Sequence, residues 1–257
     1  MGALASEVAT DDGRSTIVDA LELYASGIDG SDYVERVAPL IRGHLPEIKA
    51  LLDVGAGGGQ LGHALTLSAL ATRWTAIEPS LTMQRRLRKL PVLPKILPCG
   101  WADARASHHG YDTVLAANMP APLTDAISFL LLCREWTRRS IVWVVPAQNG
   151  PRGLCLAGLL PAEWHGEDET PGVDIVLRRL PPEDQPDTIL TTPWFFRLTV
   201  PSIPGIARYL AGRLGWPEDD PRRPDLVAHL QTAAEPVPGG MRLTVPRASA
   251  ILIWSKP

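Results

Sequence analysis

Apolar positions change their period repeatedly along this chain, and the changes divide it into elements. In DYVERVAPLIRGHL (32–45), Val34, Val37, Ile41 and Leu45 recur at helical spacing behind Asp32 and Glu35, three apart as in a capping box. An amphipathic helix is predicted there. The next run, ALLDV (50–54), is apolar without alternation and too short for a helix, as a strand covered on both faces of a parallel sheet should be. The alternation then repeats. QLGHALTLSAL (60–70), SLTMQRRLRKL (80–90) and TDAISFLLLCREW (124–136) read as helices, the second capped by Ser80 and the third by Thr124. WTAIEP (74–79), KILPCGW (95–101), YDTVLAANM (111–119) and SIVWVVPA (140–147) read as strands. Strands separated by helices imply parallel βαβ units and a doubly wound α/β sheet.

Further on, DTILTTPWFFRLTV (187–200) predicts a strand, SIPGIARYLAGRLGW (202–216) a helix capped by Ser202, DLVAHLQTA (225–233) another helix, and GMRLTVPRASAILIW (240–254) a terminal hairpin. The first dozen residues read as a loose tail. The expected organisation is a tail and helices over 1–47, then a single domain over 48–257. Composition changes this picture little: 257 residues, 45% of them hydrophobic, suit one sizeable core. A formal charge of −3 gives no attraction for a polyanion, so no nucleic-acid partner is expected. Cys99, Cys133 and Cys155 are odd in number and far apart, which indicates neither a disulfide frame nor a zinc site. The N-terminus MGALASEVATDDGRST has no basic start followed by an apolar core, and no run approaches the roughly 20 apolar residues of a membrane span. A cytoplasmic protein without membrane contact is expected, its oligomeric state open.

The candidate chemistry lies in LLDVGAGGGQLG (51–62), where five of the last eight residues are glycine. These glycines fall where the first parallel strand turns into its helix, and ligands of open α/β sheets bind at the carboxyl ends of strands. Gly57, Gly59 and Gly62 also satisfy the dinucleotide pattern G-x-G-x-x-G, so the loop alone does not choose its nucleotide. Asp53 does discriminate. A pyrophosphate beside it would set negative charge against negative charge, whereas a ligand with an ammonium and a sulfonium would be favoured. Glu78 ends the next strand, about 20 residues after the glycines, where an acid can accept hydrogen bonds from both hydroxyls of a ribose.

With these residues the chain resembles the class I S-adenosylmethionine-dependent methyltransferases. LLDVGAGGGQLG resembles the family's acid-plus-glycine motif, AIEPSLTMQRRL its ribose-binding strand and helix, and CGWADA and YDTVLAANM its third and fourth strands; the likeness covers roughly residues 48–150. The resemblance implies a mostly parallel seven-stranded Rossmann-like sheet whose last strand, Ala248 to Trp254, is antiparallel, with a helical insertion before it. That insertion, about 202–236, is placed to act as a lid. It implies S-adenosyl-L-methionine as cofactor, with Gly55, Ala56, Gly57 and Gly59 lining its amino-acid end, Asp53 supporting that loop, and Glu78 with Pro79 at the ribose. Trp101 and Ala102, with Asp103 just beyond, fall where the family meets adenine. Trp101 stacks on the ring, Asp103 reaches it, or Trp101 only packs. Asn118 ends the strand that faces the transferred methyl group, although NMPA departs from the (D/N)PP(Y/F) motif of amino-methylating relatives at Met119 and Ala121. Arg36 is either a clamp for the cofactor carboxylate or a solvated surface residue.

Methyl transfer to a positioned nucleophile asks for alignment more than for acid or base, so no catalytic triad is expected, and none is visible. His108, His109 and His165 are the candidate bases, and the histidines form no metal-ligand pattern. The expected acceptor is a small molecule, for which Trp164, Trp194, Phe195, Phe196, Tyr209 and Trp216 offer rings. A protein or RNA methyltransferase and an NAD-dependent oxidoreductase are the alternatives.

Overall fold

The computed structural model describes residues 6–9, 15–45, 47–67, 73–151 and 155–255. At the start, β1 (Ser6–Ala9) and β2 (Ser15–Val18) pair antiparallel. This corrects the loose tail: the two short runs SEVA and STIV satisfy each other's backbone. The rest of that tail, 1–5 and 10–12, lies outside the described residues. Next, α1 (Ala20–Asp29) starts on Asp19, whose Oδ1 accepts the N–H of Leu21 at 2.9 Å. The predicted amphipathic helix is α2 (Tyr33–His44), with Tyr33, Val37, Ala38 and Ile41 buried.

The alternation that follows is as expected. β3 (Ala50–Val54) leads to α3 (Gln60–Thr66), β4 (Arg73–Ile77) to α4 (Leu81–Leu87), and β5 (Lys95–Leu97) to β6 (Tyr111–Ala117). Ser80 caps α4 through the N–H of Met83. α5 (Ala126–Trp136) then precedes β7 (Thr137–Pro146). Thr124 does not cap α5, because Pro120 and Pro122 wind Ala121–Thr124 into a 3-10 turn and leave Asp125 in the cap position. Beyond come α6 (Ala162–His165), α7 (Gly172–Arg179), β8 (Thr188–Val200), α8 (Ile203–Arg213), α9 (Arg223–Ala233), β9 (Glu235–Val237) and β10 (Gly240–Ser255). Ser202 caps α8 as expected. The predicted terminal hairpin over 240–254 is instead one strand. Its turn lies earlier, at Gly239 and Gly240 with φ of +90° and +143°, and joins β10 to β9.

The main sheet has the order β5-β4-β3-β6-β7-β10-β8, with β9 paired to β10. The first five are mutually parallel and β10 runs antiparallel to β7, from Ser249 opposite Pro146 to Ser255 opposite Ser140. Going outward from β3 the chain first adds β4 and β5, then returns to place β6 on the other side of β3. The strand order reverses between β3 and β6, which is where an open sheet leaves a crevice.

The chain divides into two compact units. The sheet unit holds Tyr33–Asn149, Glu169–Trp194 and Arg247–Pro257; the second unit holds Met1–Asp32, Gly150–Asp168 and Phe195–Pro246. Helix α2 belongs with the sheet unit, where Tyr33 packs on Trp194 with ring centroids 4.8 Å apart. The core of the sheet unit takes Leu52, Val54 and Val114 from the strands and Phe129, Cys133 and Trp136 from α5. In the second unit Phe196, Tyr209 and Trp216 are buried, and Trp164 packs edge-on against Trp216 and His229. Most of the rings proposed for a substrate are therefore packing residues; of the six, Phe195 is exposed.

Candidate functional site

All five residues of β3 are buried, so Asp53 is drawn into the sheet with its apolar neighbours and the chain emerges only at Gly55. There Gly55, Gly57 and Gly59 take φ of +63°, +57° and +80°, a region that L side chains seldom enter. The turn is held by its own backbone: the N–H groups of Gly55 and Ala56 both donate to the carbonyl of Ile77, at 2.8 and 3.2 Å, and Gly59 donates to Ala56 at 2.9 Å. α3 then starts at Gln60.

The glycines differ in what surrounds them. A Cβ on Gly55 would meet Met119 Sδ at 2.6 Å, and one on Gly59 would meet Leu87 Cδ2 at the same distance. A Cβ on Gly62 would overlap Asp53 Oδ2. A Cβ on Gly57 would meet nothing within 4 Å, so on that side Gly57 presents bare backbone to open space. Its N–H donates to Glu78 Oε2 at 2.8 Å, while the N–H of Ser80 donates to Glu78 Oε1 at 2.7 Å. Each oxygen keeps further lone pairs for a ligand's donors.

Asp53 and Glu78 make this end of the sheet anionic without a compensating cation among their described hydrogen bonds. Burial, and secondly the charge of Glu78, push the Asp53 carboxyl up to about 7, against an opposing pull from the indole of Trp74. Burial also raises Glu78, and its bonds from Ser80 and Gly57 hold it back. A carboxylate kept this way is poised for a positive ligand.

Asp53, Gly55, Ala56, Gly57, Gly59 and Glu78 thus gather at one place, at the ends of β3 and β4. Pro79 follows, exposed. Asn118 flanks the group from the end of β6, in a left-handed conformation at φ +53° that is uncommon outside glycine, with its N–H on Val144 O at 2.9 Å. Trp101, Ala102 and Asp103 form a single 3-10 turn after β5. There Ala102 and Asp103 are exposed, and Trp101 is half-buried, edge-on to Phe129 at 5.3 Å. Arg36 is exposed on α2.

His108 and His109 do not belong to this place. They precede β6, at the opposite edge of the sheet, and His109 Nδ1 is bonded to Thr137 O at 2.8 Å. β6 alone spans roughly 20 Å, which removes both as bases acting at the glycine loop. His165 Nδ1 accepts the N–H of Glu167 in the second unit. No metal-binding group of three or more His, Cys, Asp or Glu occurs among the described residues. Two residues missed in the sequence reading are Met119, whose thioether covers Gly55, and Gln84, buried on α4 with Nε2 on Glu78 O at 2.9 Å. The signal for Gln84 was a polar residue three before Leu87, on the apolar face of its helix.

No family model and no curated protein matches the sequence. Among solved structures, the chain is similar to a candidate methyltransferase from Bacillus halodurans C-125, with 11% identity and a TM-score of 0.49 over 86% of this chain and 98% of the other. A candidate type II methyltransferase from Anaeromyxobacter dehalogenans shows 19% identity and a TM-score of 0.49 over 86% and 96%. A geranyl diphosphate methyltransferase, solved with GPP and sinefungin, shows 13% identity and a TM-score of 0.46 over 86% and 78%. At these values the likenesses assign neither activity nor site. Those rest on the geometry above.

Proposed function

We propose that this chain is an S-adenosylmethionine-dependent methyltransferase acting on a small molecule. The observation that carries the reading is the bond from the Gly57 N–H to the Glu78 carboxylate. In a dinucleotide site the glycine-loop amides serve a pyrophosphate; here Gly57's donor is already directed at the Glu78 carboxylate. The same carboxylate suits two ribose hydroxyls, and the second buried acid, Asp53, suits a cationic ligand. Asp53 disfavours the NAD alternative, whereas an acid at the position of Glu78 suits the ribose of either cofactor.

In this reading Gly55, Ala56, Gly57 and Gly59 line the amino-acid end of the cofactor, with Asp53 behind them and Arg36 as clamp for its carboxylate. Glu78 and Pro79 serve the ribose, Trp101, Ala102 and Asp103 the adenine, and Asn118 the side of the transferred methyl group. When bound, the cofactor supplies a methyl group already activated as a sulfonium. The protein's part is then to hold donor and acceptor in line and to exclude water, which accounts for a site without a triad. The small-molecule acceptor is favoured by the absence of a basic excess, and segment 202–236 is assigned to acceptor selection.

Thermal unfolding with S-adenosylhomocysteine and, separately, NAD tests the reading. At about 100 times the dissociation constant, a bound ligand stabilises the fold by about 2.7 kcal/mol. Stabilisation by S-adenosylhomocysteine alone is expected; a response to NAD alone would overturn the proposal.

A further inference from the structure

Glu78 is held at four atoms. Its N–H donates to Leu97 O at 3.1 Å, its Oε1 and Oε2 accept from Ser80 and Gly57, and its carbonyl accepts from Gln84 Nε2 at 2.9 Å. Three of these partners are backbone groups. Among the described residues, only Gln84 hydrogen-bonds Glu78 with a side chain, and it does so from a position 2% exposed on the buried face of α4, beside Met83 and Leu87. A primary amide there is costly to desolvate, and an apolar residue would pack as well. Gln84 Oε1 in turn accepts from Arg88 Nη2 at 3.3 Å, which orients the amide so that its NH2 faces Glu78.

We infer that Gln84 is a positioning residue for the ribose: by fastening the Glu78 carbonyl it sets the direction of the Glu78 carboxylate, and so the protein's preference for a ligand bearing both ribose hydroxyls. Gln84 touches no ligand in this account. The inference rests on the cofactor reading above, since it needs a ribose at Glu78.

The test compares dissociation constants of S-adenosylhomocysteine and its 2′-deoxyadenosyl counterpart, by calorimetry, for the wild type, Gln84→Met and Gln84→Glu. A carboxylate left short of one hydroxyl should cost the wild type roughly 10- to 100-fold in affinity for the deoxy ligand. Both variants keep the length of the side chain; neither offers the amide donor at neutral pH. In each, the preference should shrink to within about threefold, through weaker binding of the ribose ligand with little change for the deoxy one. Gln84→Glu serves if Gln84→Met does not fold. A ratio unchanged in a folded variant, or a loss shared equally by both ligands, would overturn the role of Gln84 and leave the cofactor reading intact. A wild type that binds neither ligand would overturn both.

Discussion

Two buried aspartates sit at opposite edges of the same sheet and are treated in opposite ways. Asp112 opens β6 and is 6% exposed; its Oδ2 accepts the N–H groups of Lys49 and Ala50 at 3.0 and 2.9 Å, and its Oδ1 pairs with Arg138 at 2.9 Å. Asp53, near the end of β3, is 3% exposed and has another acid, Glu78, as its charged neighbour. In register, Asp53 stands opposite Leu115, three residues along β6 from Asp112, so about 10 Å separates the two arrangements. A buried charge with a cation and two amides ties strand ends together. One without a cation costs stability while the site is unliganded, and that cost is relieved by a positive ligand. The contrast separates the edge that holds the sheet from the edge proposed to bind.

Removing each side's carboxylate should therefore fail in different measurements. Asp112→Ala strands Arg138 and two buried amides and should cost about 3–5 kcal/mol in urea unfolding, with S-adenosylhomocysteine affinity unchanged in the folded protein. Glu78→Ala should do the reverse: affinity falls on the order of 100-fold, about 2.7 kcal/mol, with a smaller loss of stability. If Asp112→Ala weakens binding as much as Glu78→Ala does, the division of labour between the two edges is wrong.

The pH dependence sharpens the same contrast. Folding raises the Asp53 carboxyl from 3.8 to about 7, so the folded chain holds this proton more tightly than the unfolded chain does. Below pH 4 both are protonated and Asp53 makes no difference. Between pH 4 and 7 its contribution turns progressively against folding, and above pH 7 the full penalty is present, with a ceiling of about 4 kcal/mol. Asp53→Asn should be as stable as the wild type near pH 4 and gain on it up to pH 8, as followed by denaturant midpoints without ligand. Parallel curves for the two proteins would show that Asp53 is not the strained group. Near pH 7, binding of cationic S-adenosylmethionine should release part of a proton, measurable by calorimetry in buffers of different ionisation enthalpy.

The parallel half of the sheet was legible because each element there carries its own signal: ALLDV is apolar throughout, the glycines punctuate it, and Ser80 caps α4 in the chain as in the sequence. The glycine loop, Asp53 and Glu78 were legible for the same reason. What escaped depended on contacts distant in sequence. Pro246 lies within the last strand but precedes the ladder with β7, which begins at Ser249, so its missing N–H breaks none of those bonds. α7 was missed because Pro171-Gly172 and Pro181-Pro182 bracket too few residues to establish a period, although Val173, Val176, Leu177 and Leu180 keep one. Met119 over Gly55 and Gln84 under Glu78 follow from which loops the topology brings together, and spacing alone does not show that.

The smallest expected effect makes the same substitution twice. Gly57 and Gly43 both have open space where a Cβ would go, so adding a methyl group clashes with nothing at either position. They differ in backbone. Gly57 sits at φ +57°, where an L side chain costs roughly 1–2 kcal/mol, whereas Gly43 lies within α2, where alanine is favoured over glycine by up to about 1 kcal/mol. Gly57→Ala should lower the thermal midpoint and Gly43→Ala should raise it. The methyl group at position 57 also enters the space assigned to the cofactor, so S-adenosylhomocysteine affinity should fall in Gly57→Ala by more than its loss of stability explains, and stay unchanged in Gly43→Ala. Equal affinities in the two variants would mean that the open space at Gly57 is only solvent, and that the ligand lies elsewhere along the edge.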